Sequence, residues 1–115
     1  MDKINKDQIS INDFTKLNLV LGTILEASQN EKAKKPAYIL EIDFGQEVGI
    51  KKTSAQITNY SFQDLLNTKV VAVTNFPNKN IAGVISEVLV LGAVAVDGVK
   101  LLRTDSNVEN GTLVG

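Results

Sequence analysis

Tyr38-Ile39-Leu40-Glu41-Ile42-Asp43-Phe44 decides the reading of this chain. Its even positions are all apolar, whereas Glu41 and Asp43 point the other way, the period-two pattern of a strand with one face in the core and one in water. The next stretch, Gly45-Gln46-Glu47-Val48-Gly49, is short, polar and flanked by glycines, which suits a hairpin into a following strand over 48–52. Working outward, aliphatic and β-branched runs at 20–26, 70–74 and 87–91 read as strands, with a further one at 99–102. Two serines are each followed three residues later by a carboxylate, in Ser10-Ile11-Asn12-Asp13 and Ser61-Phe62-Gln63-Asp64. They predict a short N-terminal helix carrying Ile11, Phe14 and Leu17, and a second helix leading into Leu65-Leu66. About five strands with one helix between the third and fourth is the layout of an all-β OB-fold, a five-stranded Greek-key barrel. An antiparallel sandwich fits the spacing nearly as well.

The chain's 115 residues, 43% hydrophobic and 22% charged, make one compact domain and no more. Pro36 and Pro77 are the only prolines, no repeat or linker composition interrupts the sequence, and the reading is an arm over 1–9 followed by one domain over 10–115. With no cysteine and no histidine, the chain has no thiolate nucleophile, disulfide, common structural zinc set or Ser-His-Asp triad. The sequence therefore predicts a binding protein without cofactor or metal rather than an enzyme. Glu41 and Asp43, on a wet strand face, lack the apolar pocket that would tune them for acid–base work. A net charge of −1 excludes coating of nucleic acid by bulk charge, so a polyanion site has to be a local patch. The polar start Met1 to Asp7 has no apolar run, and the stretch 88–96 falls far short of the ~20 residues that span a bilayer. These features predict a soluble, cytoplasmic chain with no membrane insertion.

The lysines cluster: Lys32, Lys34 and Lys35 between the first two strands, Lys51 and Lys52 at the end of the third, and Lys79 after the fourth. In an OB barrel those segments converge on one rim, where they can neutralise phosphates; the plainer account is a solubilised loop and a blunted strand end. Glu41, Asp43 and Glu47 share the region, and Arg103 is the only arginine, which weakens the phosphate case. Asn75-Phe76-Pro77-Asn78-Lys79-Asn80-Ile81-Ala82-Gly83 reads as an amide-rich loop, functional or simply a turn, with Phe76 and Tyr60 as the candidate stacking rings. Ser86 and Glu87 open an otherwise apolar strand, and Thr53, Ser54 and Gln56 offer hydroxyls and an amide beside Lys51 and Lys52. Either set can serve a ligand or cap the local backbone. The runs 88–91 and 94–96 are apolar at both parities, which predicts burial on two faces, the outer one supplied by a second subunit.

Gly49-Ile50-Lys51-Lys52-Thr53-Ser54-Ala55-Gln56-Ile57-Thr58, Val73-Thr74-Asn75-Phe76-Pro77, Ile81-Ala82-Gly83, Ser86-Glu87-Val88-Leu89-Val90-Leu91-Gly92 and Asn110-Gly111-Thr112 closely resemble the CsaA family of tRNA-binding-domain proteins. Lys35-Pro36-Ala37 and Ile42-Asp43-Phe44-Gly45 match as well, and the resemblance runs in order from Asp13 to Gly115. It implies an OB-fold homodimer acting as an export-related chaperone, with tRNA or other structured RNA and unfolded or exported polypeptides as partners. Carried over by position, the family's binding surface falls on Lys51, Ser54, Gln56, Asn75, Phe76, Ser86 and Glu87; the lysine clustering adds Lys34, Lys35, Lys52 and Lys79. The loop departs from the family pattern at Asn78, Lys79 and Asn80, where a second proline and a basic residue are usual, and at Val84, where a bulkier one is. These departures open the alternative of a polypeptide-binding chaperone that has lost significant RNA binding.

Overall fold

The computed structural model describes residues 4–115; Met1, Asp2 and Lys3, the start of the polar arm, lie outside the described residues. The predicted N-terminal helix is α1 (Ile11–Phe14). Its Ser10 hydroxyl accepts from the Asn12 N–H, and the Asp13 carboxylate accepts from the Ser10 N–H, a reciprocal cap that satisfies two otherwise orphan donors. Nine strands and a second short helix follow: β1 (Leu19–Gln29), β2 (Tyr38–Asp43), β3 (Ile50–Ala55), α2 (Phe62–Leu65), β4 (Lys69–Val73), β5 (Lys79–Ile81), β6 (Val84–Ser86), β7 (Leu89–Val90), β8 (Gly92–Ala95) and β9 (Gly98–Leu101). The main sheet is antiparallel in the order β3-β2-β1-β4-β7 and curls into a nearly closed OB-type barrel.

One long strand makes the curl. β1 pairs with β4 through Leu19 to Thr23 and with β2 through Thr23 to Gln29, and its register slips between Ile24 and Glu26. A bulge there sharpens the twist and turns the strand round the barrel. Gly22 precedes it, where a Cβ would stand 2.6 Å from Phe44 Cδ1 and 2.7 Å from Ile42 Cγ2, so glycine lets the Phe44 ring lie on the backbone. As the alternation of β2 predicts, Tyr38, Leu40, Ile42 and Phe44 are buried, together with Val20, Ile24, Ile57, Leu65, Val70, Ala72 and Val88.

The other face of β1 and β4, carrying Leu19, Leu21, Val71 and Val73, is covered by Leu17, Leu91, Val108 and Val114. The C-terminal turn is stitched there by Gly111 N–H to Leu21 O (2.8 Å) and Val114 N–H to Leu19 O (2.9 Å). Gly111 has φ 90°, and its ideal Cβ would lie 2.9 Å from the Phe44 carbonyl. Both the backbone angle and the close approach call for glycine.

Several boundaries differ from the sequence reading. The third strand lies over 50–55, because Val48 belongs to the hairpin turn; Thr53 and Ser54 are therefore strand residues and cap neither a helix nor a turn. The stretch over 75–83 is only half a loop: β5 and β6 form a hairpin whose turn residues, Ala82 and Gly83, have φ 50° and 84°. The expected strand over 87–91 is regular only over β7, with residues 87–88 irregular. Within the single chain Val88 is buried, whereas Leu89 of β7 is half-exposed and Val94 and Val96, at the tip of β8 and just beyond, are almost wholly exposed, so the chain itself supplies no cover for the outer side of these runs.

Candidate binding surface

The β1–β2 loop is held from below by Asn30. Its N–H donates to Ala37 O (2.9 Å), its carbonyl accepts from Ala33 N–H (3.2 Å), and its buried side-chain amide donates to Ser54 Oγ (3.3 Å) and reaches Ile81 O (3.5 Å). One side chain thus ties the lysine loop, β3 and the β5–β6 hairpin together. Lys34, Lys35, Ser54, Gln56, Ile81 and Ala82 consequently line one open depression, with the Lys32 stem running past Gly83 at its rim. Lys34, Lys35 and Gln56 are exposed and make no described ion pair or side-chain hydrogen bond. The structure brings Lys34 and Lys35 together with Ser54 and Gln56, which the sequence reading placed beside Lys51 and Lys52; Asn30, which organises the grouping, carried no signal beyond being an amide at a strand end.

A second cleft lies on the other side of the hairpin. Phe76, Pro77, Ile81, Val88 and Leu89 give it an apolar lining, Lys79, Ser86 and Glu87 complete its wall, and its volume is about 150 Å³. Phe76 is 47% exposed, so its ring is available to a ligand rather than spent as a core plug. Tyr60, the other candidate ring, is structural: its hydroxyl accepts from Leu101 N–H (3.0 Å), its carbonyl accepts from Tyr38 Oη (2.8 Å), and Arg103 lies over its face.

The expected single basic rim is divided. Lys51 pairs with Glu87 (Nζ to Oε2 3.7 Å) beside the apolar cleft. Lys52 stands on the outer face, opposite Glu41 in the β2–β3 register, and Glu41 is opposite Glu26 in the β1–β2 register. Glu26 and Glu41 share a hydrogen bond, and this together with their mutual repulsion holds the Glu26 carboxyl above its ordinary 4.5. The outer face of β2 and β3, where OB folds commonly take oligonucleotides, therefore carries Glu41 beside its lysine, with Glu26 of β1 next to it.

Three further candidates are held by the fold. Asn75 Oδ1 accepts from Asn18 N–H (2.8 Å) and its amide donates to Lys16 O (2.7 Å), pinning the post-β4 loop to the start of β1. Ser86 is buried and accepts from Ser54 N–H (2.9 Å); Glu87 Oε1 accepts from Lys52 N–H (3.0 Å). Among the described residues no cluster of metal-ligating side chains occurs, and no helix is long and apolar enough to cross a membrane.

The family model described as "Putative tRNA binding domain" matches residues 19–113, the barrel and its C-terminal stitch. The chain belongs to the tRNA-binding domain family. Membership makes residues 19–113 a domain of the tRNA-binding type. Its fold and sequence are similar over nearly their whole length to two chaperones of known structure. These are CsaA of Picrophilus torridus (52% identity, TM-score 0.90, 94% of this chain and 100% of that one) and CsaA of Bacillus anthracis (45%, 0.89, 95% and 100%). The resemblance read from the sequence motifs is thereby confirmed. Segments of longer proteins match as well: the methionine–tRNA ligase of Pyrococcus horikoshii is 34% identical over 113 residues and that of Halalkalibacterium halodurans 31% over 113. The chain spans 94% and 98% of itself in these matches but 15% and 17% of the ligases' length.

Proposed function

We propose that this protein is a cytoplasmic, homodimeric CsaA-type chaperone that holds extended or exported polypeptides and also takes structured RNA such as tRNA. The observation that carries the reading is the 52% identity to a CsaA chaperone across 94% of the chain at a TM-score of 0.90. The surface supports it with two chemically distinct subsites. The apolar cleft at Phe76, Pro77 and Leu89 has the volume of a single large side chain and suits an exposed hydrophobic residue of an unfolded client. The depression at Lys34, Lys35, Ser54 and Gln56 offers two cations and neutral hydrogen-bonding groups, suited to a phosphate backbone.

The dimer is supported by Val94 and Val96, both almost fully exposed, and by the half-exposed Leu89, apolar groups that a two-fold partner would remove from water. A reading without significant RNA binding is favoured by one feature, the acids at the other lysines: Glu87 on Lys51, Glu41 opposite Lys52, and Glu26 opposite Glu41.

Aggregation of a chemically unfolded client in the presence of stoichiometric protein tests the chaperone role, and suppression is expected. Light scattering at micromolar concentration is expected to give twice 12.4 kDa. Failure to suppress aggregation, alongside tight tRNA binding, would leave an RNA-binding protein only; a monomer would remove the dimer.

A further inference from the structure

β3 is the terminal strand of the main sheet, yet its outer edge is not met by a regular strand. Residues 86–88 meet it instead. Ser54 N–H donates to Ser86 Oγ (2.9 Å), Lys52 N–H to Glu87 Oε1 (3.0 Å), and Glu87 N–H to Lys52 O (2.9 Å). Thr53 Oγ1 donates to Val88 O (2.7 Å). Of these four bonds one joins main chain to main chain; at Lys52 and Ser54, side-chain oxygens stand where a neighbouring strand would present carbonyls.

A seam of this kind is exchangeable. Ser86 and Glu87 can return their side chains to water, whereas the N–H groups of a strand edge need acceptors at strand spacing, which an extended main chain supplies at every second residue. We infer that the β3 edge is a strand-addition site, at which Ser86 and Glu87 act as a removable latch, with Val88 anchored in the core, and an extended polypeptide bonds Lys52 and Ser54 in their place. The inference rests on the polypeptide-binding reading above and specifies how that partner is held. The edge favours polypeptide over RNA because it exposes a carbonyl, Lys52 O, between its two donors; an N–H of a client strand satisfies that carbonyl, and a phosphate does not. The apolar cleft lined by Phe76, Val88 and Leu89 adjoins the latch, within reach of a side chain of the added strand.

Amide hydrogen exchange of the full-length protein, alone and saturated with reduced, carboxymethylated α-lactalbumin as a permanently unfolded client, tests this. Displacement of the latch frees the Glu87 N–H from Lys52 O. The Glu87 amide is therefore expected to exchange about tenfold faster or more in the complex, while Lys52 and Ser54 slow. Slowing of all three, or no change at any of them with client bound, would overturn the inference. The Ser86→Ala/Glu87→Ala variant removes the competing acceptors and is expected to bind the client about tenfold more tightly, because a larger fraction of molecules is already open. Equal or weaker binding by a folded variant would overturn it, and if the variant does not fold the wild-type exchange pattern still decides. The same pattern produced by tRNA would assign the seam to nucleic acid and refute the polypeptide assignment. Absence of any client binding by the wild-type protein would instead refute the chaperone reading itself, whereas binding without faster Glu87 exchange refutes the seam alone.

Discussion

Thr53 is the one polar side chain of β3 in the barrel interior, 2% exposed, and its hydroxyl donates to the Val88 carbonyl at 2.7 Å. No backbone N–H among the described residues reaches that carbonyl, and Val88 is itself buried. Thr53→Val keeps the shape of the side chain and removes the donor. The Val88 carbonyl is then left unsatisfied, at a cost of about 1–3 kcal/mol, while the added buried methyl returns about 0.8 kcal/mol. The net expectation is a loss of about 0.2–2.2 kcal/mol, about 1 kcal/mol at mid-range, and a loss of about 1 kcal/mol lowers Tm of a domain of this size by roughly 4–8 °C. Thermal unfolding followed by circular dichroism measures it, and Thr53→Ser, which keeps the donor, is expected to retain the normal exchange rate of the Glu87 amide while Thr53→Val raises it. A Thr53→Val protein melting within a degree of wild type would show that the seam is not held by this bond.

Gly22→Ala places a methyl 2.6 Å from Phe44 Cδ1 in a fully packed core, and overpacking of this kind is expected to cost about 1–3 kcal/mol, read as a lower denaturation midpoint; an unchanged midpoint would contradict the close approach. Glu26 is held above its ordinary 4.5 by Glu41, so the folded state binds its proton more tightly than the unfolded chain does. Its favourable contribution is present below that value and is lost as pH rises through the raised one, so Glu26→Gln is expected to melt higher than wild type at pH 7, with the difference vanishing below pH 4.5. Lys34→Ala with Lys35→Ala is expected to weaken tRNA binding and flatten its slope of log affinity against log salt by about one to two units, since each phosphate contact contributes about 0.7. Lys6→Ala, on the N-terminal arm, is expected to leave that slope unchanged.

The barrel was legible where a strand has one wet face. The alternation at Tyr38 to Phe44 and the two serine caps carried over directly into β2, α1 and α2. The hairpin of β5 and β6 was hidden because Asn78, Lys79 and Asn80 have loop chemistry; Ala82 and Gly83 alone mark its turn, and three-residue strands bury too little to leave a periodic pattern. The binding surface was half legible. Lysine clustering found Lys34 and Lys35, but whether a lysine is free depends on carboxylates brought near it by register. Glu87 reaches Lys51 across the seam, and Glu41 faces Lys52 across two strands, pairings that no local spacing encodes. Ser86 and Asn75 were read from the sequence as binding-surface residues, and in the structure their side chains bond backbone amides and carbonyls of the fold itself, partners that no local spacing names.

Titration of the full-length protein with reduced, carboxymethylated α-lactalbumin in a calorimeter, followed by the same titration with bulk tRNA, tests the central claim most directly. A CsaA-type chaperone is expected to bind the unfolded client saturably at micromolar concentration, with one client segment per subunit, and to bind tRNA with an affinity that collapses as salt is raised from 50 to 200 mM. No heat and no saturation with the unfolded client, at concentrations where tRNA binds, would contradict the account.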